Sequence, residues 1–374
     1  MKKIPLKFII LCCLLILSSL KYGNSNNQND VNLWDIIRTS ANWDTKYLNP
    51  KIKNSHIIQS ELKKISRSPG YFQSMNKRAE PFLHHIVTEI KNRNLPLELA
   101  LLPILESGYN HKAHSHRGAH GIWQLMPATA KYLGLKSNSW YDDRRNIIES
   151  TNAALDYLSK INKEFDNNWM LTLGAYNAGS GTIRSAIRHN KKRKLSTQYW
   201  DLQLPIETKK YAPKLLAILI ALKNPEKYNQ KLPFIPNKKF FTKVEFPKQT
   251  SVLSVAKKHK IDPEIMKVLN YHYPRLVTAP KDQKSKDAPY ILIPAKYDKK
   301  IAKSTKKPEY HEKVAYNETT DKNWVEYTIK SGESLSLIAK NHKVSLKSIK
   351  QMNNITNTNK IKAGKKISIP VAVG

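Results

Sequence analysis

The sequence predicts a mainly α-helical chain that ends in two small α+β modules. Apolar residues recur at helical spacing from about residue 80 to 226. After residue 240, short β-rich runs alternate with short helices, and the segment 256–261 is repeated at 339–344. With 374 residues, of which 40% are hydrophobic, most of the chain is expected to be globular and to form two or three domains.

The N-terminus resembles an export signal. Three lysines precede the apolar run 8–20, which suits a signal-peptide core and is short for a membrane span. We therefore expect residues 1–23 to direct the chain to the periplasm or cell envelope, and retention as a membrane anchor stays open. Cys12 and Cys13 lie in this run, but the residues before them do not match a lipoprotein signal, so outer-membrane attachment also stays open.

Shifts in composition divide the rest of the chain into segments. The predicted units are an N-terminal helical extension at 24–79, a helical domain at 80–226, a degenerate module at 240–295, a lysine-rich linker at 296–323 and a final module at 324–371. From 296 to 313, seven residues are lysine and few are apolar. This segment is therefore predicted to be a solvated, flexible spacer.

Caps and helix breakers place the helices of the helical domain. The predicted helices are 78–93, 97–107, 127–133, 147–161, 169–178 and 208–223. Pro103 lies inside the second of these, so that helix is expected either to kink or to start late. Gly108 suits the left-handed position after its end.

The two C-terminal repeats have the same predicted order of elements. Their alignment continues through Leu269 and Asn270, which match Met352 and Asn353. Each copy closes with an apolar run that ends in proline. Each copy is therefore predicted to form a strand, two helices and a second strand.

Four separated motifs in the helical domain indicate its chemistry. They are Glu106-Ser107, the run Gly121 to Pro127, the run Ala175 to Gly179, and Glu207-Thr208 followed by Tyr211. In this order and spacing they resemble the catalytic domain of the lytic transglycosylases, a lysozyme-like fold that cleaves peptidoglycan. The resemblance covers most of residues 80–226, and it implies peptidoglycan glycan strands as the partner.

Glu106 is also the candidate catalytic acid on chemical grounds. A glycosidic oxygen is a poor leaving group unless it is protonated, so cleavage needs a carboxylic acid that stays protonated near neutral pH. Glu106 ends an apolar helix, where apolar neighbours and the negative end of the helix dipole are expected to raise its pKa. The alternative is an ordinary surface glutamate at a helix end.

The resemblance implies a reaction with one acid, no cofactor and no metal. Glu106 protonates the bond between N-acetylmuramic acid and N-acetylglucosamine, and the substrate's N-acetyl group stabilises the positive centre. Glu106 then takes the proton of the muramyl C6 hydroxyl while a 1,6-anhydro ring closes. Ordinary glycosidases use two carboxylates, but no second acid is close in sequence. Proximity in space stays open, and Glu207 is expected to be structural.

Further residues match positioning groups of the family. The resemblance implies that Gln124, Tyr176 and Asn177 bind substrate along the saccharide groove and that Tyr211 lies near the catalytic acid. The alternative for both tyrosines is a buried structural hydroxyl. Ser107 is a candidate either for orienting the substrate or for capping its helix.

Aromatic and histidine side chains near Glu106 leave alternatives open. Trp123 is equally suited to stacking on a sugar face and to packing in the core. The loop after Glu106 contains histidines at positions 111, 114, 116 and 120, but their spacing matches no closed zinc pattern. A solvated, partly cationic loop is favoured over a metal site.

The final repeat resembles a LysM module, a class that binds glycans containing N-acetylglucosamine. The matching residues are Tyr327 to Ile329, Ser331 to Leu335, Ile338-Ala339, Asn353, Ile361, Gly364 and Ile369-Pro370. Gly332 permits a tight turn and Ser334 suits a helix cap, so Gly332, Glu333 and Ser334 are the candidate glycan-binding residues. In the 240–295 copy Gln249 replaces Gly332, so that copy is expected to be structural.

Three rival functions remain open. A hydrolytic lysozyme needs a water route and usually a second carboxylate. A non-catalytic wall-binding protein has no chemical need for Glu106. The net charge of +35 suits an anionic partner such as nucleic acid, but no nucleic-acid-binding module is recognisable and the export signal opposes that function.

With 12 glycines and 2 cysteines, collagen-like and disulfide-scaffold classes are excluded. We expect a monomer.

Overall fold

A computed structural model describes residues 31–279, 288–315, 324–358 and 361–370. The export signal predicted at 1–23 lies outside the described residues. Across those four ranges, no helix combines the length and apolar character that crossing a membrane requires.

The described chain is mostly helical. Its α-helices are Leu33–Ser40, Trp43–Lys46, Pro50–Lys53, His56–Ser66, Tyr71–Asn92, Leu102–Ser107, Pro127–Tyr132, Ile147–Glu164, Trp169–Ala178, Ser180–Lys192, Ile206–Lys223, Val252–His259, Pro263–Leu269, Asp298–Thr305, Pro308–Val314, Leu335–Asn341 and Leu346–Met352. Short 3-10 helices span Leu97–Leu101, Asp143–Arg145, Tyr199–Asp201, Glu226–Tyr228 and Ala295–Tyr297. The strands are Phe241–Glu245, Tyr290–Pro294, Trp324–Thr328 and Lys366–Pro370. The predicted fold class, mainly α with two small α+β modules, is confirmed.

Local sequence explains where the helices around the site begin. The side chain of Asn146 accepts from the amide of Ile148 and caps Ile147–Glu164, and Asn168 caps Trp169–Ala178 in the same way. Pro103 lies in the first turn of Leu102–Ser107, where its missing N–H has no helical partner to lose. The late start is therefore the alternative that the structure adopts, after a 3-10 turn.

The helical domain is built around the helix Ile206–Lys223, which is apolar on nearly all sides and buried along most of its length. Helices from both ends of the domain pack on it, including His56–Ser66 and Trp169–Ala178. Leu33–Ser40 also packs there, so part of the predicted N-terminal extension shares this core. The helix Tyr71–Asn92 runs without interruption across the predicted boundary at residue 79.

Both repeats form a two-stranded antiparallel sheet with two helices between the strands. In the central module Phe241 pairs with Pro294 and Glu245 with Tyr290. In the C-terminal module Trp324 pairs with Pro370 in the equivalent register. The predicted order of strand, helix, helix and strand is therefore present in both copies.

The lysine-rich segment differs from the flexible spacer that the sequence predicts. Residues 298–305 and 308–314 are helical, and Ile301, Tyr310 and Val314 are buried in the core of the central module. Tyr310 also contacts His259, whose Nε2 lies 2.7 Å from its hydroxyl. The spacer prediction was wrong here because three well-spaced apolar side chains are enough to anchor two short helices. Residues 316–323 lie outside the described residues.

Candidate active site

Glu106 lies in the last turn of Leu102–Ser107, at the point where two cavities meet. The Tyr211 hydroxyl donates a hydrogen bond to its Oε1. Burial by the surrounding protein raises the Glu106 pKa to about 7, the Tyr211 bond lowers it, and the charge of Glu207 raises it again. Glu106 is partly exposed and lines both cavities, so its carboxyl is placed to exchange a proton with a bound ligand near neutral pH.

The motif from Gly121 to Pro127 forms a loop tied to the end of this helix. The Ser107 hydroxyl donates to the carbonyls of Ile122 at 2.9 Å and Pro103 at 3.2 Å, so it fixes the loop to the helix that bears Glu106. Gly121 has φ +76°, and a Cβ there would collide with the backbone oxygen of Arg144. Only glycine therefore fits this turn.

Trp123 belongs to the core of the helical domain. It is fully buried, and its Nε1 donates to Thr151 Oγ1 at 3.0 Å. The sequence left two interpretations of Trp123 open. The structure supports packing in the core and contradicts stacking on a sugar face. The Tyr176 hydroxyl donates to the carbonyl of Trp123 at 3.0 Å, so Tyr176 braces the same loop while it lines the cavity.

Gln124 is the residue of this loop that lines both cavities together with Glu106. Its backbone is left-handed, with φ 48°, and its Nε2 donates to the carbonyl of Gly121 at 2.8 Å. This local bond fixes the amide beside the catalytic candidate before any ligand binds.

Asn177 and Glu207 form the opposite wall. Asn177 Oδ1 accepts from Thr208 Oγ1 at 2.8 Å, and its Nδ2 lies 3.5 Å from Glu207 Oε1. Glu207 is exposed and lines the same cavity of about 560 Å³ as Glu106. The sequence left the spatial neighbours of Glu106 open, and the structure supplies this second carboxylate.

Buried charges that the sequence analysis passed over support the loop. Asp142 is fully buried, and its Oδ2 lies 2.8 Å from Arg144 Nη2. Arg144 Nη1 donates in turn to the carbonyl of Gly118 at 2.9 Å. On the other side, Arg78 Nε donates to the carbonyl of Gly108, which has φ +58°. No sequence spacing indicates these contacts, because they join segments about 30 residues apart.

The histidine loop is less cationic than the sequence suggested. His120 is buried, and burial followed by the charge of Arg145 lowers its pKa far below the ordinary value. Burial likewise lowers the His111 pKa to about 4. Both are neutral at pH 7, so the expectation of a solvated, partly cationic loop was wrong for them. Within the described ranges, no three His, Cys, Asp or Glu side chains are grouped to hold a metal ion.

In the C-terminal module the three candidate glycan-binding residues shape one turn. Gly332 has φ +80°, and Ser334 Oγ accepts from the amide of Leu337 at 3.2 Å as a helix cap. Glu333 accepts from the Tyr327 hydroxyl at 2.7 Å and from the amide of Lys330 at 2.8 Å. These bonds lower the Glu333 pKa, chiefly the one from the Lys330 amide.

Two segments of the chain match known protein families. Residues 85–199 match the Transglycosylase SLT domain family, and residues 327–370 match the LysM domain family. The chain is 35% identical over 314 residues to the membrane-bound lytic murein transglycosylase D of Escherichia coli strain K12, an alignment that covers 83% of this chain and 68% of that protein. It is 29% identical over 116 residues to the soluble lytic murein transglycosylase of the same strain, covering 30% of this chain and 18% of that one.

Among solved structures, an inactive mutant of the lytic transglycosylase Slt from Pseudomonas aeruginosa is similar at 21% identity. The superposition covers 47% of this chain and 32% of that one, with a TM-score of 0.32. This chain therefore spans about a third of that solved protein.

Proposed function

The chain belongs to the lytic murein transglycosylase family that includes transglycosylase D, and we propose that it cleaves peptidoglycan with Glu106 as its single acid and base. The observation that supports this most directly is the Glu106 carboxyl itself. Its pKa is raised to about 7, and it lies at the junction of two cavities that together form a groove. A carboxyl with this pKa is able to donate a proton and to accept one within a single turnover.

The reaction that fits this site needs no water. Protonated Glu106 donates its proton to the glycosidic oxygen as the bond from N-acetylmuramic acid C1 breaks, and the departing N-acetylglucosamine keeps the proton. The N-acetyl group of the muramyl residue stabilises the positive charge on C1. The muramyl C6 hydroxyl oxygen then bonds to C1, and its proton goes to the Glu106 carboxylate. The acid is restored, and one product carries a 1,6-anhydro ring.

The remaining candidate residues have defined places in this scheme. Tyr211 holds the Glu106 carboxyl and stabilises its ionised form between the two proton transfers. Gln124 lies beside the acid on the groove wall, where an amide suits the N-acetyl and hydroxyl groups of a sugar. We propose Tyr176, Asn177 and Ser107 as residues that position the groove walls, since their polar atoms are already bonded within the protein.

We also propose that the C-terminal LysM module holds the enzyme on glycan strands through the turn at Gly332, Glu333 and Ser334. Binding at a second site raises the effective concentration of an insoluble polymer at the groove. The proposed place of action is the periplasmic cell envelope, as a monomer. Membrane association through the N-terminal segment fits the similarity to transglycosylase D of Escherichia coli, whose name describes it as membrane-bound.

Mass spectrometry of muropeptides released from purified peptidoglycan tests the reaction. The wild-type protein is expected to release 1,6-anhydro products, and Glu106→Gln is expected to release none. Both proteins should sediment with the polymer, because the substitution leaves the LysM turn at Gly332, Glu333 and Ser334 unchanged.

A hydrolytic lysozyme is the second candidate, because Glu207 shares a cavity with Glu106. In that case the products are heavier by one water, and Glu207→Gln abolishes their release as completely as Glu106→Gln. With the transglycosylase, Glu207→Gln keeps the anhydro products and acts only through the Glu106 pKa, which it lowers.

A further inference from the structure

The groove at Glu106 has two differently built halves. One half is the cavity of about 560 Å³ walled by the helical domain alone. The other is a cavity of about 750 Å³ with Lys112 and His114 of the helical domain on one side and the LysM helix Leu346–Met352 on the other. Glu106 and Gln124 line both halves, so a strand with its scissile bond at Glu106 enters each of them.

Specific contacts hold the LysM module at this place. The guanidinium of Arg275, in the central module, lies 4.3 Å from the ring centre of Trp140 and 4.1 Å from that of Trp324. Arg275 Nη2 also donates to Ser368 Oγ at 2.6 Å. Closer to the groove, Arg145 Nη1 donates to the carbonyl of Gln351 at 3.3 Å. The LysM module is therefore joined by direct contacts to both the helical domain and the central module.

The charges around the larger cavity are strongly one-sided. It is lined by Lys112, Lys347 and Lys350, and Glu106 is the acidic residue on its wall. Within the described part of the chain, these three lysines are in no ion pair. His114 lines the same cavity, and the charge of Lys350 lowers its pKa after the larger effect of burial. Three lysines that line one cavity suit a ligand that carries carboxylates, whereas a neutral sugar chain offers them no opposite charge.

Given the proposed function, we infer that Lys347 and Lys350 of the LysM module, together with Lys112, form a subsite for the carboxylates of the peptide stems on muramyl residues. The stems are the anionic part of peptidoglycan next to the scissile bond. Leu346 and Ile355 line the same cavity and suit the apolar side chains of such a peptide. The LysM module thus contributes to substrate selection in the catalytic groove itself.

The test uses the full-length protein and compares two forms of one soluble peptidoglycan as its substrates. In one form the stem carboxylates are free, and in the other they are converted to amides, so the strand keeps its size and loses its charge. The measurement is kcat/KM for release of anhydro products. The wild-type protein is expected to prefer the free-carboxylate form by about tenfold, the effect of two partly exposed charge pairs. This preference should shrink at high salt.

Four variants test which residues cause the preference for free stem carboxylates. Lys347→Gln with Lys350→Gln should reduce the ratio to about one, and Lys347→Arg with Lys350→Arg should retain it. The matched control is Lys340→Gln with Lys343→Gln, which removes the same charge from exposed positions of the same module outside both cavities. Arg275→Ala, at a residue outside the lining of both cavities, should lower the ratio by releasing the module.

The outcomes separate this inference from the proposed function. Equal kcat/KM for the two substrates in the wild-type protein, or an unchanged ratio in the Lys347 and Lys350 glutamine variant, overturns the subsite and leaves the transglycosylase standing. Faster cleavage of the free-carboxylate form by that variant means that the module obstructs the groove, which also overturns it. Absence of anhydro products from either substrate contradicts the proposed function instead.

Discussion

The central and C-terminal modules are built alike but are joined to the rest of the protein in different ways. Both use one asparagine, buried in the central module and half-buried in the C-terminal one, to tie the second helix to the closing strand. Asn270 donates to and accepts from Leu292 at 2.8 Å, and Asn353 makes the same two bonds with Ser368 at 2.6 and 2.7 Å. The aligned asparagines therefore have the same structural role.

The difference lies in where the apolar side chains go. Leu269 and Leu292 of the central module belong to the main core that includes the helical domain. The C-terminal module keeps a separate core, and it is joined to the other units by hydrogen bonds from Arg145 and Arg275 and by ring contacts of Trp324. One copy is thus fused to the catalytic unit, and the other is docked on it. A repeated sequence fixes the fold of each copy but not its attachment.

The largest effect that separates the two regions is expected from Glu106→Gln. Loss of a general acid and base should lower kcat by about 10²- to 10⁴-fold or more, while sedimentation with peptidoglycan stays unchanged. The control is Glu326→Gln, a surface acid of the C-terminal module that pairs with Lys366. It should leave kcat within about twofold. Wild-type activity of Glu106→Gln would contradict the division into a catalytic domain and a module that only binds the polymer.

Substitutions of the two asparagines test whether the central module unfolds together with the catalytic unit and the C-terminal module unfolds separately. Asn270→Ala and Asn353→Ala each leave buried backbone groups of a strand without a partner, which should cost about 2–4 kcal/mol. In calorimetry, Asn270→Ala should lower the main unfolding transition, whereas Asn353→Ala should lower a separate transition of the C-terminal module. A single transition that both variants shift equally would show that the docked module is fused as well.

The pH dependence of stability should reside in the catalytic unit. Burial raises the Glu106 pKa from 4.5 to about 7 in the folded state, so the folded protein binds the extra proton between these values. This contribution is complete below pH 4.5 and is lost as pH rises through about 7. Glu106→Gln should therefore be more stable than wild type at pH 8 by about 3 kcal/mol, and this gain should vanish near pH 4.

Urea unfolding at the two pH values measures this difference. The C-terminal transition should not respond to the substitution at either pH, because Glu106 is absent from its core. A gain of equal size at both pH values would contradict a raised pKa.

The smallest expected effect concerns the turn that distinguishes the copies. Gly332 has φ +80°, while the aligned Gln249 donates to the carbonyl of Thr278 at 2.9 Å. Gly332→Ala should cost about 1 kcal/mol in the C-terminal transition alone and weaken binding to glycan. Gly70→Ala is the matched control, since φ is −89° there and the added methyl meets open space. An equal loss of unfolding free energy in both variants would show that the positive φ at Gly332 does not require glycine.

Much of this architecture is predictable from local sequence, and the docking is not. Asparagine caps, the proline at residue 103 and the aligned repeat depend on short spacings, so most helix bounds and the place of Glu106 at a helix end follow from the sequence. The place of the LysM module depends on Arg275 lying between tryptophans of two other segments. The proximity of Glu207 to Glu106 and the anchoring of the lysine-rich segment likewise depend on tertiary packing.

The unequal halves of the groove have a consequence for the direction of cutting. A glycan strand has two distinguishable ends, and Glu106 must always have a muramyl residue on the same side. The half lined by the LysM helix therefore always holds the same side of the break. After each cut, one fragment lies in the half walled by the helical domain alone, and the other lies beside a second glycan-binding module. We therefore expect the two products to leave the groove at different rates.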